Sequence, residues 1–202
     1  MIDDTPARIG VLASGDGTNL QAILDDPVLR PLVHLVVSDR PGSGALVRAT
    51  RAGIAADVVR WRDHSSRSAF SAAVADVLEA HRVDLVVLAG FMRILDADMI
   101  ARFPGRILNV HPSLLPAFPG ADAVEQALEH GVKVTGVTVH IVEEAVDSGP
   151  ILAQEAVPVE SDDDVSSLHH RIQKVEHQLF PDVIRSFVAG RFLVEGRKVV
   201  RT

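Results

Sequence analysis

The sequence predicts an α/β fold with a mostly parallel sheet, helices on both faces and a late antiparallel strand. Short runs of β-branched and other apolar residues alternate with segments of helical periodicity, beginning close to the N-terminus. Such alternation is typical of chains in which each helix connects two parallel strands. After Gly131, two strand-like runs are separated by a short acidic connection, which suits an antiparallel pair.

Five apolar runs are the predicted parallel strands. They are apolar on both faces and are bounded by Gly, Pro or Asp, which is typical of buried strands in a parallel sheet. The runs comprise residues 8–13, 33–38, 56–59, 84–89 and 106–111. Because parallel strands need a crossover connection, we expect right-handed crossovers between them.

The segment 68–82 is the clearest predicted helix in the first half of the chain. Its apolar residues recur at three- and four-residue steps, so they form one stripe along a helix. The stripe consists of Phe70, Ala73, Val74, Val77 and Leu78. We expect this stripe to pack in the core.

The predicted antiparallel pair comprises residues 134–142 and 151–159, and a long helix is expected to follow it. Three aspartates at 162–164 stand at the expected start of this helix, where negative charge favours the macrodipole. Pro181 is expected to kink or restart the helix. The expected apolar stripe consists of Val165, Leu168, Ile172, Val175 and Leu179.

The length of 202 residues suits one α/β domain, and we expect a single domain over residues 1–202. The formal net charge of −7 offers no basic surface for nucleic acid or for an anionic membrane. The chain has no Cys, which excludes disulfides and fits the cytoplasm. Asp3 and Asp4 precede any apolar run, unlike in a signal peptide, and no apolar stretch reaches the roughly 18 residues of a membrane span. We therefore expect a cytoplasmic protein without nucleic-acid or membrane partners.

A glycine-rich turn follows the first predicted strand and leads into a helix. Glycines permit close approach of the backbone, and the N–H groups at a helix N-terminus bind anions. No Lys follows as in a Walker A loop, and the glycine spacing differs from the dinucleotide fingerprint. Two interpretations remain: a phosphate site, or a plain turn in which Thr18 or Asn19 caps the helix. The turn reads Ser14-Gly15-Asp16-Gly17-Thr18-Asn19-Leu20-Gln21.

A polar group stands at the end of the fifth predicted strand. Strand alternation places Asn109 and His111 on one face, so an amide and an imidazole can address a single reacting atom. Pro112 restricts His111 to extended backbone and ends the strand there. Open α/β sheets bind ligands at the carboxyl ends of their strands, which favours a catalytic over a structural histidine. The full motif reads Asn109-Val110-His111-Pro112-Ser113-Leu114-Leu115-Pro116.

Two further groups are ambiguous by themselves. The segment Asp147-Ser148-Gly149-Pro150 has the composition of a turn, and a catalytic role requires its carboxylate to reach His111. The polar residues of the last helix would ordinarily form its solvated face. They are Gln173, Lys174, Glu176 and His177.

Together these motifs resemble those of the phosphoribosylglycinamide formyltransferase family, the folate-dependent transformylases of purine synthesis. The resemblance extends from Ile9 to about Val194 and includes Glu176-His177 and Leu88-Ala89-Gly90-Phe91-Met92-Arg93-Ile94-Leu95. It implies a single Rossmann-like formyltransferase domain. It also implies that 10-formyltetrahydrofolate, as co-substrate, donates its formyl group to the amine of glycinamide ribonucleotide.

The resemblance further implies the site residues. The implied catalytic residues are Asn109, His111 and Asp147. The ribonucleotide would be bound by Gly17, Thr18, Asn19, Gln173, Lys174 and Glu176. The folate would be bound by Arg67, Met92, Arg93, Ile94, Leu95, Asn109, Glu143, Glu144, Ala145, Val146 and Asp147. No metal is implied, and the four-ligand Cys/His spacings of zinc sites are missing.

The sequence departs from the family pattern at one place. After Pro119-Gly120, where many relatives carry His, the chain reads Ala121-Asp122-Ala123-Val124. If such a His assists catalysis or ribonucleotide binding in relatives, that help is absent here or is supplied by another residue. Asp122 is not assumed to substitute for it.

Three alternatives share part of the pattern. Formyltetrahydrofolate deformylase carries an additional N-terminal domain, and methionyl-tRNA formyltransferase carries a C-terminal tRNA-binding domain, whereas this sequence begins almost directly with a strand and stops at Thr202. A non-enzymatic folate or nucleotide sensor would not need the set Asn109, His111 and Asp147. We therefore expect the transferase, acting as a monomer or a homodimer.

Overall fold

The computed structural model describes residues 7–202, which form two compact units that divide between Ile107 and Leu108. Asp3 and Asp4, on which the argument about a signal peptide depends, lie outside the described residues. No described helix combines the length and the apolar character that crossing a bilayer requires.

The first unit alternates strands and helices. Strand β1 pairs in parallel with both β2 and β4, and β2 pairs in parallel with β3, so the strand order is β3-β2-β1-β4. The strands are β1 (Ile9–Leu12), β2 (Val33–Ser38), β3 (Ala55–Val58) and β4 (Leu85–Leu88). The α-helices are α1 (Thr18–Asp25), α2 (Gly44–Ala52), α3 (Arg67–Ala80) and α4 (Ala97–Arg102), and short 3-10 helices span Arg30–Leu32 and Trp61–Asp63.

The second unit is mostly antiparallel. Strand β6 pairs antiparallel with β5 and with β7, and β8 and β9 form a separate hairpin. The strands are β5 (Ile107–His111), β6 (Val134–Ile141), β7 (Ile151–Pro158), β8 (Phe192–Glu195) and β9 (Lys198–Arg201). The helices are α5 (Ala123–Glu129) and α6 (Val165–Val188). The parallel strands of the first unit and the antiparallel strands of the second confirm the predicted α/β class with a late antiparallel strand.

Each of the five predicted parallel runs overlaps an observed strand, but the expectation that all are buried is wrong for β3. Ala55, Ala56 and Val58 of this strand are exposed, whereas every residue of β1 is buried. The reason is that β3 pairs only with β2 and forms an edge of the sheet. In α3 the predicted stripe does face the core, since Phe70 and Leu78 have no exposed surface.

Helix α6 corrects two expectations. Its buried stripe includes Leu168, Ile172, Glu176 and Phe180, whereas Val165 is 47% exposed. Four-residue steps from Leu168 therefore define the inner face, and Glu176 lies on it. The helix also continues through Pro181, because the buried residues on both sides of the proline keep the helix in place despite one lost backbone hydrogen bond. The aspartates at its start behave as expected, since Asp164 and Ser167 form a capping box.

Helix α1 excludes the plain capping interpretation of the glycine-rich turn. Its N-cap is Gly17, in the left-handed conformation with φ of 73°, and no side chain caps the helix. Neither Thr18 nor Asn19 therefore has the capping position that the sequence suggested. A side chain at position 17 would place its Cβ 2.7 Å from the Cα of Ala45, so the close packing of the turn requires glycine.

Candidate active site

The carboxyl end of β5 presents an amide and an imidazole at adjacent positions of one strand face. Asn109 and His111 are two residues apart on β5, and His111 is 5% exposed. Asn109 lies opposite His140 in the antiparallel register with β6, and His111 lies opposite Thr138. Because cross-strand partners project to the same face of a sheet, these pairings place the side chains of Asn109, His111, Thr138 and His140 on one face.

The carboxylate of Asp147 joins this pair, although it comes from the connection between β6 and β7. Its Oδ2 lies 3.3 Å from Nδ1 of His111, and its Oδ1 lies 3.5 Å from Nδ2 of Asn109. The backbone N–H of Gly120 donates to Oδ2 at 2.7 Å. The structure therefore brings together Asn109, His111 and Asp147.

His140 is a member of the cluster that the sequence analysis missed. This residue is 1% exposed, and its Nε2 lies 3.2 Å from Nδ2 of Asn109 and 3.5 Å from Oδ1 of Asp147. Its Nδ1 lies 2.9 Å from the carbonyl oxygen of Ile141. A histidine within the predicted strand run 134–142 was the available signal, but only the β5–β6 register places it beside Asn109.

The charge of Asp147 is stabilised by this surrounding. Burial is the largest single influence and by itself would raise the pKa of Asp147, but a hydrogen bond with His140, the Gly120 N–H and the charges of His111 and His140 together lower the pKa below its ordinary value. The residue is consequently a carboxylate at neutral pH, able to orient two imidazoles at once.

The second ring nitrogen of His111 also faces an acceptor. Its Nε2 lies 2.8 Å from the carbonyl oxygen of Phe118. An imidazole can donate to both Asp147 and this carbonyl only when both of its nitrogens carry protons. In the doubly protonated form both N–H groups of His111 therefore have acceptors, Asp147 at Nδ1 and the Phe118 carbonyl at Nε2.

A buried polar network fixes the segment that carries Phe118. Thr138 Oγ1 donates to the carbonyl of Ser113 at 2.7 Å and accepts from the Leu115 N–H at 3.0 Å. Gln154 Nε2 donates to the Leu115 carbonyl and to Thr138 Oγ1, both at 2.9 Å. These bonds attach the segment after His111 to β6 and β7.

Three residues around the cluster have the left-handed backbone that non-glycine residues rarely adopt. The φ angles are 52° at Phe118, 58° at Asp122 and 50° at Asp147. Each such conformation costs roughly 1 to 3 kcal/mol and persists where surrounding contacts impose it, often at functional sites. Asp122, the residue at which the sequence departs from the expected family pattern, is exposed and makes no side-chain cap to α5.

The segment 92–95 of the first unit is an anchored loop with exposed apolar side chains. The Met92 N–H donates to Ser14 Oγ at 2.8 Å, and the Asp96 N–H donates to Ser71 Oγ at 3.1 Å. Met92 and Ile94 are nevertheless 64% and 53% exposed. Exposed apolar side chains on an anchored backbone are suited to contact a flat apolar ligand. Arg67 is exposed at the first position of α3.

Comparisons with known proteins agree on one family. Residues 7–184 match the family described as formyl transferase. Phosphoribosylglycinamide formyltransferase from Mycobacterium tuberculosis is 46% identical over 202 residues, which cover 96% of this chain and 94% of that protein. The crystal structure of glycinamide ribonucleotide transformylase 1 from Symbiobacterium toebii superposes with a TM-score of 0.95 at 52% identity and covers 98% of this chain and 95% of that one.

The chain belongs to the formyl transferase family. It is an enzyme of the one-carbon transferase class. It is also 46% identical to the trifunctional purine biosynthetic protein adenosine-3 of Drosophila melanogaster, but it spans only 15% of that protein's length.

The remaining predicted site residues of this formyltransferase differ in exposure. Glu176 of α6 is 5% exposed, whereas Lys174 is exposed and Gln173 is half-buried. A buried carboxylate on the inner face of a helix is costly unless it is paired or binds a ligand, which distinguishes Glu176 from its two neighbours. The sequence analysis found no such distinction, because it assigned all three residues to the solvated face.

The loop before Asp147 is exposed in the formyltransferase, as a ligand-binding loop requires. Its residues Glu143, Glu144, Ala145 and Val146 are all exposed. The chain returns to β7 through Gly149, where a Cβ would meet the Ile141 carbonyl oxygen, so the turn cannot accept a side chain there. Within residues 7–202, no group of three or more His, Asp or Glu side chains is arranged to hold a metal ion.

Proposed function

We propose that this formyltransferase transfers the formyl group of 10-formyltetrahydrofolate to the amine of glycinamide ribonucleotide, in the cytoplasm and as a single domain over its whole length. The observation that carries the proposal is the cluster in which one carboxylate, Asp147, faces His111 and His140 beside Asn109. An amide and an imidazole can donate hydrogen bonds to an oxyanion, and an imidazole paired with a carboxylate can transfer a proton, which are the two tasks in acyl transfer to an amine. No metal takes part in the proposed reaction.

The reaction begins when the amine lone pair attacks the formyl carbon and forms a bond to it. The carbonyl π electrons move to the formyl oxygen, which becomes an oxyanion. Asn109 Nδ2 and the protonated His111 donate hydrogen bonds to this oxygen, and such preorganised donors lower the barrier most where charge develops. The His111 Nε2–H, which donates to the Phe118 carbonyl in the free enzyme, donates a hydrogen bond to the oxyanion at this stage and keeps its proton.

The intermediate collapses when the bond between the formyl carbon and N10 of the folate breaks. The attacking nitrogen carries an extra proton, and N10 must gain one as it leaves. His111 or a water molecule held by Asp147 transfers this proton, so that tetrahydrofolate and the formylated amine leave with all protons accounted for. Asp147 stays ionised and stabilises His111 whenever the imidazole carries two protons.

The two substrates use different segments. The phosphate of the ribonucleotide binds the turn at Gly17, Thr18 and Asn19, where no side chain caps α1. Three residues of α6 also bind the ribonucleotide, namely Gln173, Lys174 and Glu176. The folate binds along residues 92–95, 143–147 and Arg67. Backbone groups of residues 92–95 contact the pterin edge, and their exposed side chains cover its apolar surface.

An absorbance assay tests the proposal directly. Purified protein is mixed with 10-formyltetrahydrofolate, or with its dideaza analogue, in the presence and in the absence of glycinamide ribonucleotide. We expect donor consumption that depends on the ribonucleotide and yields one formylated product per donor consumed. Consumption without the amine would instead identify a deformylase, and binding without any consumption would identify a sensor.

A further inference from the structure

A fully buried carboxylate lies at the end of β2, outside the catalytic cluster. The side chain of Asp39 is 0% exposed, and its Oδ2 accepts a hydrogen bond from Nε of Arg93 at 2.7 Å. Its Oδ1 has no hydrogen-bond partner among the described residues. The catalytic mechanism above makes no use of this pair.

Arg93 is held on two sides. Its guanidinium carbon lies 5.2 Å from the ring centroid of Trp61, while Asp39 binds Nε. The neighbouring Phe91 stacks on the buried Phe70 at 6.3 Å. The side chain of Arg93 is still 32% exposed, and its Nη1 and Nη2 groups form no hydrogen bond with any residue in the range 7–202.

Stability alone is a poor explanation for this arrangement. Burying a carboxylate carries a desolvation cost, and a buried ion pair can often be replaced by apolar residues without loss of stability. Here one carboxylate oxygen remains unsatisfied, which adds to the cost. By contrast, a carboxylate that binds an arginine only through Nε fixes the plane of the guanidinium. The two Nη groups are then left to bind a planar acceptor.

We propose that Asp39 is a positioning residue of the formyl-donor site, which orients the Arg93 guanidinium so that its Nη groups bind an oxygen acceptor of the folate. The inference rests on the proposed function, because it assumes that residues 92–95 bind the donor. Asp39 itself does not touch the substrate. Its effect on folate affinity passes entirely through Arg93.

A double-mutant cycle in the Michaelis constants tests this inference. Asp39→Ala should raise the KM for 10-formyltetrahydrofolate by about tenfold, the effect of losing an oriented charged donor, and leave kcat and the ribonucleotide KM within about twofold. Asp39→Asn keeps an acceptor for Nε and should stay within about threefold of the wild type. Arg93→Ala should raise the folate KM at least as much, and adding Asp39→Ala to it should cause no further increase.

Two controls keep the result interpretable. Asp57→Ala removes a carboxylate of the same unit that lies 3.3 Å from His81, and it should change neither KM. If Arg93→Ala fails to fold because Asp39 is left unpaired, Arg93→Lys replaces it in the cycle, since an ammonium can pair with Asp39 but lacks the guanidinium fork.

Three results would overturn the inference: an unchanged folate KM in Asp39→Ala, equal increases in both KM values, or an effect of Asp39→Ala that persists at full size without Arg93. Ribonucleotide-dependent turnover of the wild type is measured first. Its absence would contradict the proposed function, whereas an active wild type with any of these three results would contradict only the role of Asp39.

Discussion

The Oδ2 atom of Asp147 lies 3.3 Å from Nδ1 of His111, although His111 is the last residue of β5 and Asp147 lies in the connection between β6 and β7. Strand β6 runs antiparallel to β5 and ends opposite Leu108, so the loop after β6 folds back towards the carboxyl end of β5, where Asp147 meets His111. Gly120 and His140 bind the same carboxylate from two other segments. Asp147 is therefore the residue through which the parts of the cluster are connected.

Replacement of Asp147 by Asn removes the negative charge of the side chain and keeps its size and shape. Asn tolerates the left-handed backbone found at this position, where φ is 50°, and it keeps most of the hydrogen bonding. We expect turnover to fall by roughly 10² or more, with both KM values nearly unchanged, because the imidazolium of His111 loses its counter-charge. Steady-state kinetics with both substrates varied would measure this, and near-normal turnover would reduce Asp147 to a turn residue.

The same variant should reveal a pH-dependent contribution to stability. The folded state lowers the pKa of Asp147 relative to the unfolded chain. The resulting stabilisation is complete above the ordinary pKa of Asp and is lost as the pH falls through the lowered folded-state value. The wild type should therefore lose its advantage over Asp147→Asn as the pH is lowered from 7 to about 3, as measured by urea unfolding at each pH. If the stability of the wild type relative to Asp147→Asn instead increased as the pH was lowered, the pKa of Asp147 would not be lowered in the folded state.

The glycine-rich turn offers a clean test at Gly15. A Cβ at this position meets no atom within 4 Å and the φ angle is not positive, so Gly15→Val should leave the fold intact. If the open space at Gly15 holds the phosphate of the ribonucleotide, the KM for the ribonucleotide should rise by roughly 10- to 100-fold in Gly15→Val, while the KM for the folate stays constant. Gly17→Val is the contrasting variant, because the backbone of Ala45 blocks a side chain there and the whole unit should be destabilised. Unchanged ribonucleotide affinity in Gly15→Val would argue against the phosphate site.

Glu176 and Lys174 form a matched pair on one helix, since the former is buried and the latter exposed. Glu176→Gln keeps the volume and removes the charge, and we expect the ribonucleotide KM to rise roughly tenfold. Lys174→Gln should raise the KM for the ribonucleotide much less. Isothermal titration with the ribonucleotide alone would measure both affinities, and equal effects would show that burial does not distinguish the two residues.

Local patterns were sufficient to predict most of the fold. The β2 run at 33–38 coincides with the observed strand, and the stripe through Phe70 and Leu78 follows directly from helical periodicity. The failures depend on context that a single segment does not contain. Whether β3 is buried depends on its place at the edge of the sheet, and whether Glu176 faces inward depends on which face of α6 packs on the strands.

The site was partly predictable for the same reason. Asn109 and His111 share a face because they lie two residues apart on one strand, which alternation alone reveals. The position of His140 beside them depends on the register between β5 and β6, and a shift of one residue would turn it to the other face. The contact of His111 with the Phe118 carbonyl depends on the buried network of Thr138 and Gln154, whose partners are distant in sequence.

The turnover number of His111→Ala is the measurement that tests the account most directly. Removal of a general acid or base that also stabilises the oxyanion should lower kcat by roughly 10² to 10⁴ while the dissociation constants of both substrates stay nearly unchanged. His170→Ala, an exposed histidine of α6, serves as the control and should retain wild-type turnover. A His111→Ala enzyme with near-normal ribonucleotide-dependent turnover would return this histidine to a structural role and would contradict the proposed mechanism.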